Sequence, residues 1–168
     1  MVFTRREFIK DYKFNNIGLL FLGLFFGIVN NIFISSIGDY NLANVIYYWL
    51  TLFSFLFLII FLLSNYKNKG FLIMALGYIF NLLPISVNGK MPVSLNALII
   101  TSDIEKINLI KNGFSLSHKV FEDPKLFFLS DIIPIPKPYI YARVISIGDI
   151  LISIGLFIGL FLLSRRKV

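Results

Sequence analysis

Four apolar runs constrain this chain more than any other feature. They cover about residues 17–34, 45–63, 71–87 and 144–164. An α-helix rises ~1.5 Å per residue, so ~20 apolar residues cross the ~30 Å hydrocarbon core of a bilayer. Hydrophobic residues are 57% of the 168 and charged residues only 15%, too few to cover that apolar surface in a water-soluble domain. The runs are apolar on every face, whereas a membrane β-barrel alternates apolar and polar residues. The chain therefore reads as an all-α integral membrane protein with four transmembrane helices. A long outer loop between helices 3 and 4 should carry short interfacial helices.

Charge divides the chain further. A net charge of +7 could point to nucleic acid, but the basic residues gather at the ends of apolar runs, where membrane topology accounts for them. With an even number of spans, the N-terminal flank, the turn at Lys67 and Lys69, and the tail Arg165-Arg166-Lys167 share one side. Together with Arg5, Arg6, Lys10 and Lys13, that side holds nine of the sixteen basic residues. The positive-inside rule predicts both termini in the cytoplasm of a bacterial inner membrane. One membrane domain over 1–168 follows, with a basic cytoplasmic flank (1–16), a three-helix segment (17–87), an extracytoplasmic loop (88–143) and a final helix (144–164). Thr4-Arg5-Arg6-Glu7-Phe8-Ile9-Lys10 looks like a twin-arginine export signal. The apolar run after it is long and ends without Ala, so an uncleaved signal-anchor fits better.

Several residues break the apolar pattern. Gly23 with Gly27, and Gly155 with Gly159, form G-x-x-x-G spacings that let helices approach closely, within the chain or in a homo-oligomer. Asn30 and Asn31 could bond across helices. Tyr47, Tyr48 and Trp49 are expected at an interface at the start of helix 2. Pro84 predicts a bent or unwound end to helix 3. In the loop, Ser102-Asp103-Ile104-Glu105 reads as a capping box opening a short helix, stopped by Asn112-Gly113. Pro134, Pro136 and Pro138 predict an extended segment over 133–139.

The chemistry-bearing candidates are Asn88, Lys90, His118, Asp131 and Asp149. Asp149 lies about a turn into the last span, where a carboxylate needs a partner or a purpose. It could serve an ion, proton or head-group site. Alternatively, Ser146 and Asp149 could cap the first turn of the helix. Ser36-Ile37-Gly38-Asp39 repeats the pattern at 146–149, which reads as coincidence rather than an internal repeat. Lys90 could meet a phosphate or Asp149, or be a solvated loop lysine. His118 stands alone, and with no Cys a metal site has no ligand set. No cofactor-binding motif is present.

Asn88-Gly89-Lys90-Met91-Pro92-Val93, His118-Lys119-Val120, Leu129-Ser130-Asp131-Ile132-Ile133-Pro134-Ile135-Pro136 and Ser146-Ile147-Gly148-Asp149 occur in this order. The set resembles a bacterial family of small multi-pass membrane proteins, domain of unknown function 5317. The similarity covers roughly residues 66–164. Departures are one Gly fewer in the first element and Ser130 where the family has Gly. The resemblance also implies a further N-terminal helix in relatives, whose second helix matches the first one here. It implies no activity.

The resulting expectation is a non-enzymatic inner-membrane protein embedded in the lipid bilayer. Its outer section binds a small ligand, lipid or partner protein. Two alternatives use the same residues. One is a membrane enzyme on a lipid-linked substrate, with Asp131, Asp149, His118 and Lys90. The other is a small transporter or proton-coupled subunit using Asp149 with Asn81.

Overall fold

The computed structural model describes residues 13–32 and 37–165. Arg5, Arg6, Lys10, Ser36, Arg166 and Lys167, and the end of the first apolar run, lie outside the described residues. The chain is mostly helical. Its long helices are α1 (Ile17–Ile32), α2 (Tyr40–Ser64), α3 (Lys69–Asn88) and α6 (Ile147–Arg165). Between α3 and α6 come β1 (Met91–Pro92), α4 (Leu95–Thr101), α5 (Ile104–Lys111), β2 (His118–Lys119), β3 (Ile133–Ile135) and β4 (Arg143–Ile145). Three helical stretches, Tyr40–Ser64, Lys69–Asn88 and Ile147–Ser164, are long and apolar enough to cross a membrane, while α1 at 16 residues is shorter.

The long helices pack in chain order: α1 on α2, α2 on α3, and α3 on α6. Small residues set the distances. A Cβ on Gly70 would lie 2.1 Å from the backbone nitrogen of Gly159, and one on Gly155 would lie 2.6 Å from that of Met74. Backbone thus meets backbone along the antiparallel α3–α6 seam. On the other side, a Cβ on Gly23 would be 2.7 Å from the Leu58 side chain, and one on Gly27 3.3 Å from the Ser54 hydroxyl. All four glycines of the two G-x-x-x-G spacings therefore face helices of their own chain.

One end of the row is tied by asparagines. Asn65 accepts from the Asn15 N–H at 2.9 Å and donates to the Asn15 carbonyl at 2.9 Å. Asn68 caps α3 through the Gly70 N–H and donates to the Gly159 carbonyl at 3.1 Å. The basic turn at 65–70 is thus also a buried joint between helices.

Boundaries differ from expectation where polar residues extend a helix. The α2 helix starts at Tyr40, because the Asp39 carboxylate accepts from the Asn41 and Leu42 N–H groups. Tyr47, Tyr48 and Trp49 consequently lie about two turns inside it, not at its start. The α3 helix stays helical through Pro84 to Asn88, so its end is not unwound. The Asn88 amide donates to the Pro84 carbonyl at 2.7 Å, and Gly89 ends the helix at φ 78°. The capping box at Ser102 does not form: Asp103 makes no side-chain cap and pairs instead with Lys137 at 2.6 Å. Ser94 caps the unanticipated α4 through the Ala97 N–H.

The section between α3 and α6 is a cap built on short strands. β1 runs parallel to β2, with Met91 opposite His118, and β3 pairs antiparallel with β4. A further bridge joins Val93 to Asp131. Val93, Leu98 and Ile110 form the cap's own buried cluster.

Candidate functional site

The site starts from the S-x-G-D pattern. The Ser146 hydroxyl accepts from the Asp149 N–H at 3.0 Å, and the Asp149 carboxylate accepts from the Ser146 N–H at 3.1 Å. This is a reciprocal cap on α6. It is also more than a cap. Asn81 of α3 donates to the other Asp149 oxygen at 2.8 Å and accepts from the Ser146 hydroxyl at 2.7 Å. Gly148 makes the approach possible, since a Cβ there would lie 2.0 Å from Asn81 Oδ1. Ser, Gly, Asp and Asn thus close one buried polar knot where α6 enters the bundle.

The cap places His118 and Asp131 above this knot. Asp131 is fixed by its backbone: its N–H donates to the Pro92 carbonyl and its carbonyl accepts from Ser94 N–H. Its side chain is buried, 3.2 Å from His118 Nε2. Burial pushes the Asp131 carboxyl above the usual carboxylate range, against the opposing hydrogen bond and charge of His118. On the other side of the ring, Ser117 Oγ lies 2.5 Å from His118 Nδ1.

Lys90 is not a solvated loop lysine and does not meet Asp149. It is buried, and its ammonium donates to the Tyr40 hydroxyl (2.7 Å) and the Gly113 (3.1 Å) and Ser115 (2.5 Å) carbonyls. It also lies 5.2 Å from the Tyr40 ring centre. Tyr40 in turn donates to the Gly113 carbonyl. Lys90 therefore fastens the cap to the start of α2. Asn88 is likewise structural, clamping the Lys125 backbone with its amide and its carbonyl oxygen.

Two cavities meet at His118, Asp131 and Asp149, which line both. One, of about 430 Å³, runs beside α6, with Lys106 and Arg143 above and Ile152 below. The other, of about 240 Å³, reaches beneath the cap between α1, α2 and α3. Its walls include Asn30, Tyr47, Thr51 and Ser54, which the sequence marks only as polar or aromatic residues within apolar runs. Among the described residues no group of three His, Cys, Asp or Glu side chains is arranged to hold a metal ion.

Known proteins bear on this site through one family. The model of a family of unknown function, DUF5317, matches residues 11–161. The chain belongs to that family. Both the polar knot and the cap lie inside the matched range. An uncharacterized protein of Thermotoga maritima is 37% identical over 115 residues, which is 67% of this chain. The match spans 62% of that relative's length. No solved structure matches.

Proposed function

We infer that this DUF5317 protein is a four-span inner-membrane protein whose cap faces outward and whose chamber holds a small ligand. The observation that carries the reading is the meeting of His118, Asp131 and Asp149, from three different elements, on the shared wall of two cavities. A carboxylate buried like that of Asp131, beside an imidazole and a second carboxylate around a hollow, is costly to keep for stability alone. Orientation rests on charge: the end that carries Lys67 and Lys69 is opposite the cap, and basic residues favour the cytoplasmic side. An exposed Asn108→Cys should then label with an impermeant maleimide on intact cells, and Ser164→Cys should not. Transport through Asp149 finds little support, because below it α3 and α6 close on each other at Gly155 and Gly159.

The test is native mass spectrometry of the full chain from mild detergent. A small molecule should be retained by the wild type and lost in Asp131→Asn and His118→Phe. A bare wild-type protein would refute the reading.

One observation favours a second reading, an enzyme. If His118 donates Nε2–H to Asp131, its Nδ1 accepts from the Ser117 hydroxyl, which polarises that oxygen toward nucleophilic attack. A fluorophosphonate probe should then label the wild type and not Ser117→Ala. No labelling would remove this reading and leave the binding protein.

A further inference from the structure

The hairpin that leads into α6 ends in three consecutive apolar residues that the cap does not cover. Tyr139 is 58% exposed, Ile140 90% and Tyr141 71%, while the cap's own buried cluster closes on Val93, Leu98 and Ile110 without them. Such a run favours contact with another apolar surface over water.

The tip is held in shape. β3 and β4 pair with Ile135 opposite Arg143, which fixes where the turn begins. The Tyr139 N–H donates to the Pro136 carbonyl at 3.3 Å, and the Ala142 N–H to the Tyr139 carbonyl at 3.0 Å. The rings of Tyr139 and Tyr141 stand edge to face, with 6.1 Å between their centres. Lys137 reaches Asp103, just before α5, at 2.6 Å. Pro136 and Pro138 have no N–H, so this arm brings fewer backbone donors that need water.

The height of the hairpin along the bundle follows from α6. Its apolar span, Ile147–Ser164, has 18 residues. At ~1.5 Å per residue they cover about 27 Å, slightly less than the ~30 Å hydrocarbon core. A span with no slack puts Ile147 at the edge of the hydrocarbon. β4 ends two residues earlier, at Ile145, so the base of the hairpin falls in the head-group layer. Charge agrees with that position. Residues 132–145 include Lys137 and Arg143 and neither Asp nor Glu. Basic residues beside an apolar tip are what anionic head groups attract. The same uncompensated charge opposes pairing of this tip with that of a second copy.

We propose that the tip Tyr139-Ile140-Tyr141 anchors the cap in the bilayer, at the boundary of head groups and acyl chains on the cap's side. The inference goes beyond ligand binding, but it rests on the reading of α6 as a membrane span. Ile140 enters the acyl boundary, and the two tyrosines bridge it with their hydroxyls toward the head groups. Lys137 and Arg143 meet lipid phosphates. The anchor keeps the cap down on the membrane, and with it the larger cavity, whose wall includes Arg143, Val144 and Ile145.

The chain has no Cys, so Ile140→Cys, Phe157→Cys and Glu122→Cys can each carry one NBD fluorophore. All three positions are exposed, so the label leaves the core intact. The full chain is placed in vesicles of phosphatidylcholine and phosphatidylglycerol (three to one). Matched vesicles carry nitroxide lipids that quench either near the head-group end or near the tail end of the acyl chain. Ile140 should lose at least half its emission to the head-end nitroxide and less to the tail-end one. Phe157, ten residues into α6, should respond most to the tail-end nitroxide. Glu122, in an exposed acidic turn, should respond to neither. An Ile140 label quenched no more than that on Glu122, with Phe157 quenched, would overturn the anchor and leave the spans standing. Blue-shifted Ile140 emission that neither lipid quenches would mean that protein covers the tip, and would overturn it too. An unquenched Phe157 would end the membrane reading and the anchor together.

Discussion

Gly70→Ala is the sharpest test of how this bundle is held together. The added Cβ would lie 2.1 Å from Gly159 N, 2.4 Å from Gly159 Cα and 2.5 Å from the Gly155 carbonyl oxygen. All three are backbone atoms, so no side-chain rotation can relieve the contact. Ordinary contact begins at 3.4 Å, so α3 and α6 must separate locally by about an ångström. That movement loosens the close packing that drives helix association in lipid, where no hydrophobic effect draws helices together. It also stretches the hydrogen bond from Asn68 to the Gly159 carbonyl, now 3.1 Å. Overpacking of this kind costs ~1–3 kcal/mol. At roughly 2–4 °C per kcal/mol for a chain of this size, the melting temperature should fall by about 5 °C. Gly18→Ala is the matched control, because a Cβ there meets nothing within 4 Å and alanine improves helix propensity. The assay is thermal unfolding of both variants in the same detergent, followed by loss of the monodisperse peak in size-exclusion chromatography. Equal melting temperatures for Gly70→Ala and wild type would refute the backbone-contact account of the seam.

Three other outcomes follow from the site. Asp149→Ala strands Asn81 and the first turn of α6, so folded protein should drop by the equivalent of about 2 kcal/mol in a denaturant titration, and Asn81→Ala should share most of that loss in a double-mutant cycle. Lys90→Met leaves the Ser115 carbonyl without its donor and takes the ammonium from the Tyr40 hydroxyl and the Gly113 carbonyl, so the cap should open and limited proteolysis near 113–115 should accelerate several-fold while the helices stay intact. Asp131 holds its proton more tightly folded than unfolded, so it favours folding below its ordinary value of 3.8 and this contribution is lost as pH rises through its raised folded value. The stability of the wild type relative to Asp131→Asn should therefore fall over that acid window, and a pH-independent difference would contradict the burial of the carboxyl.

Much of the helical architecture was legible because it is written in single runs. A stretch such as 45–63 announces its helix with no reference to any other part of the chain. Ends were less legible. Asp39 extends α2 by local capping of polar residues, and hydropathy alone passes over such a turn. Ser94 starts α4 with one hydroxyl and no glutamate after it, whereas the fuller capping pattern at Ser102 loses Asp103 to Lys137. At the site, Ser146 and Asp149 could be read together because they are three residues apart. Lys90 could not, because its partner Tyr40 is 50 residues away. His118 and Asp131 meet only through short strands whose pairing has no periodic signature. Asn30 carried a usable signal, a polar side chain inside an apolar run, but the direction it faces depends on α2.

The α3–α6 seam also sets an order of assembly. Asn81 and Asp149 are 68 residues apart in the chain, and the whole cap is made between them. During synthesis α3 must therefore wait, its glycine face open, until the cap has been made and α6 follows it. α1 and α2 can pair early, since Ser54 and Gly23 are only 31 residues apart. The bundle is thus closed last by the segment that carries Asp149, and a chain interrupted before that segment would leave an adhesive helix face for other membrane helices to find.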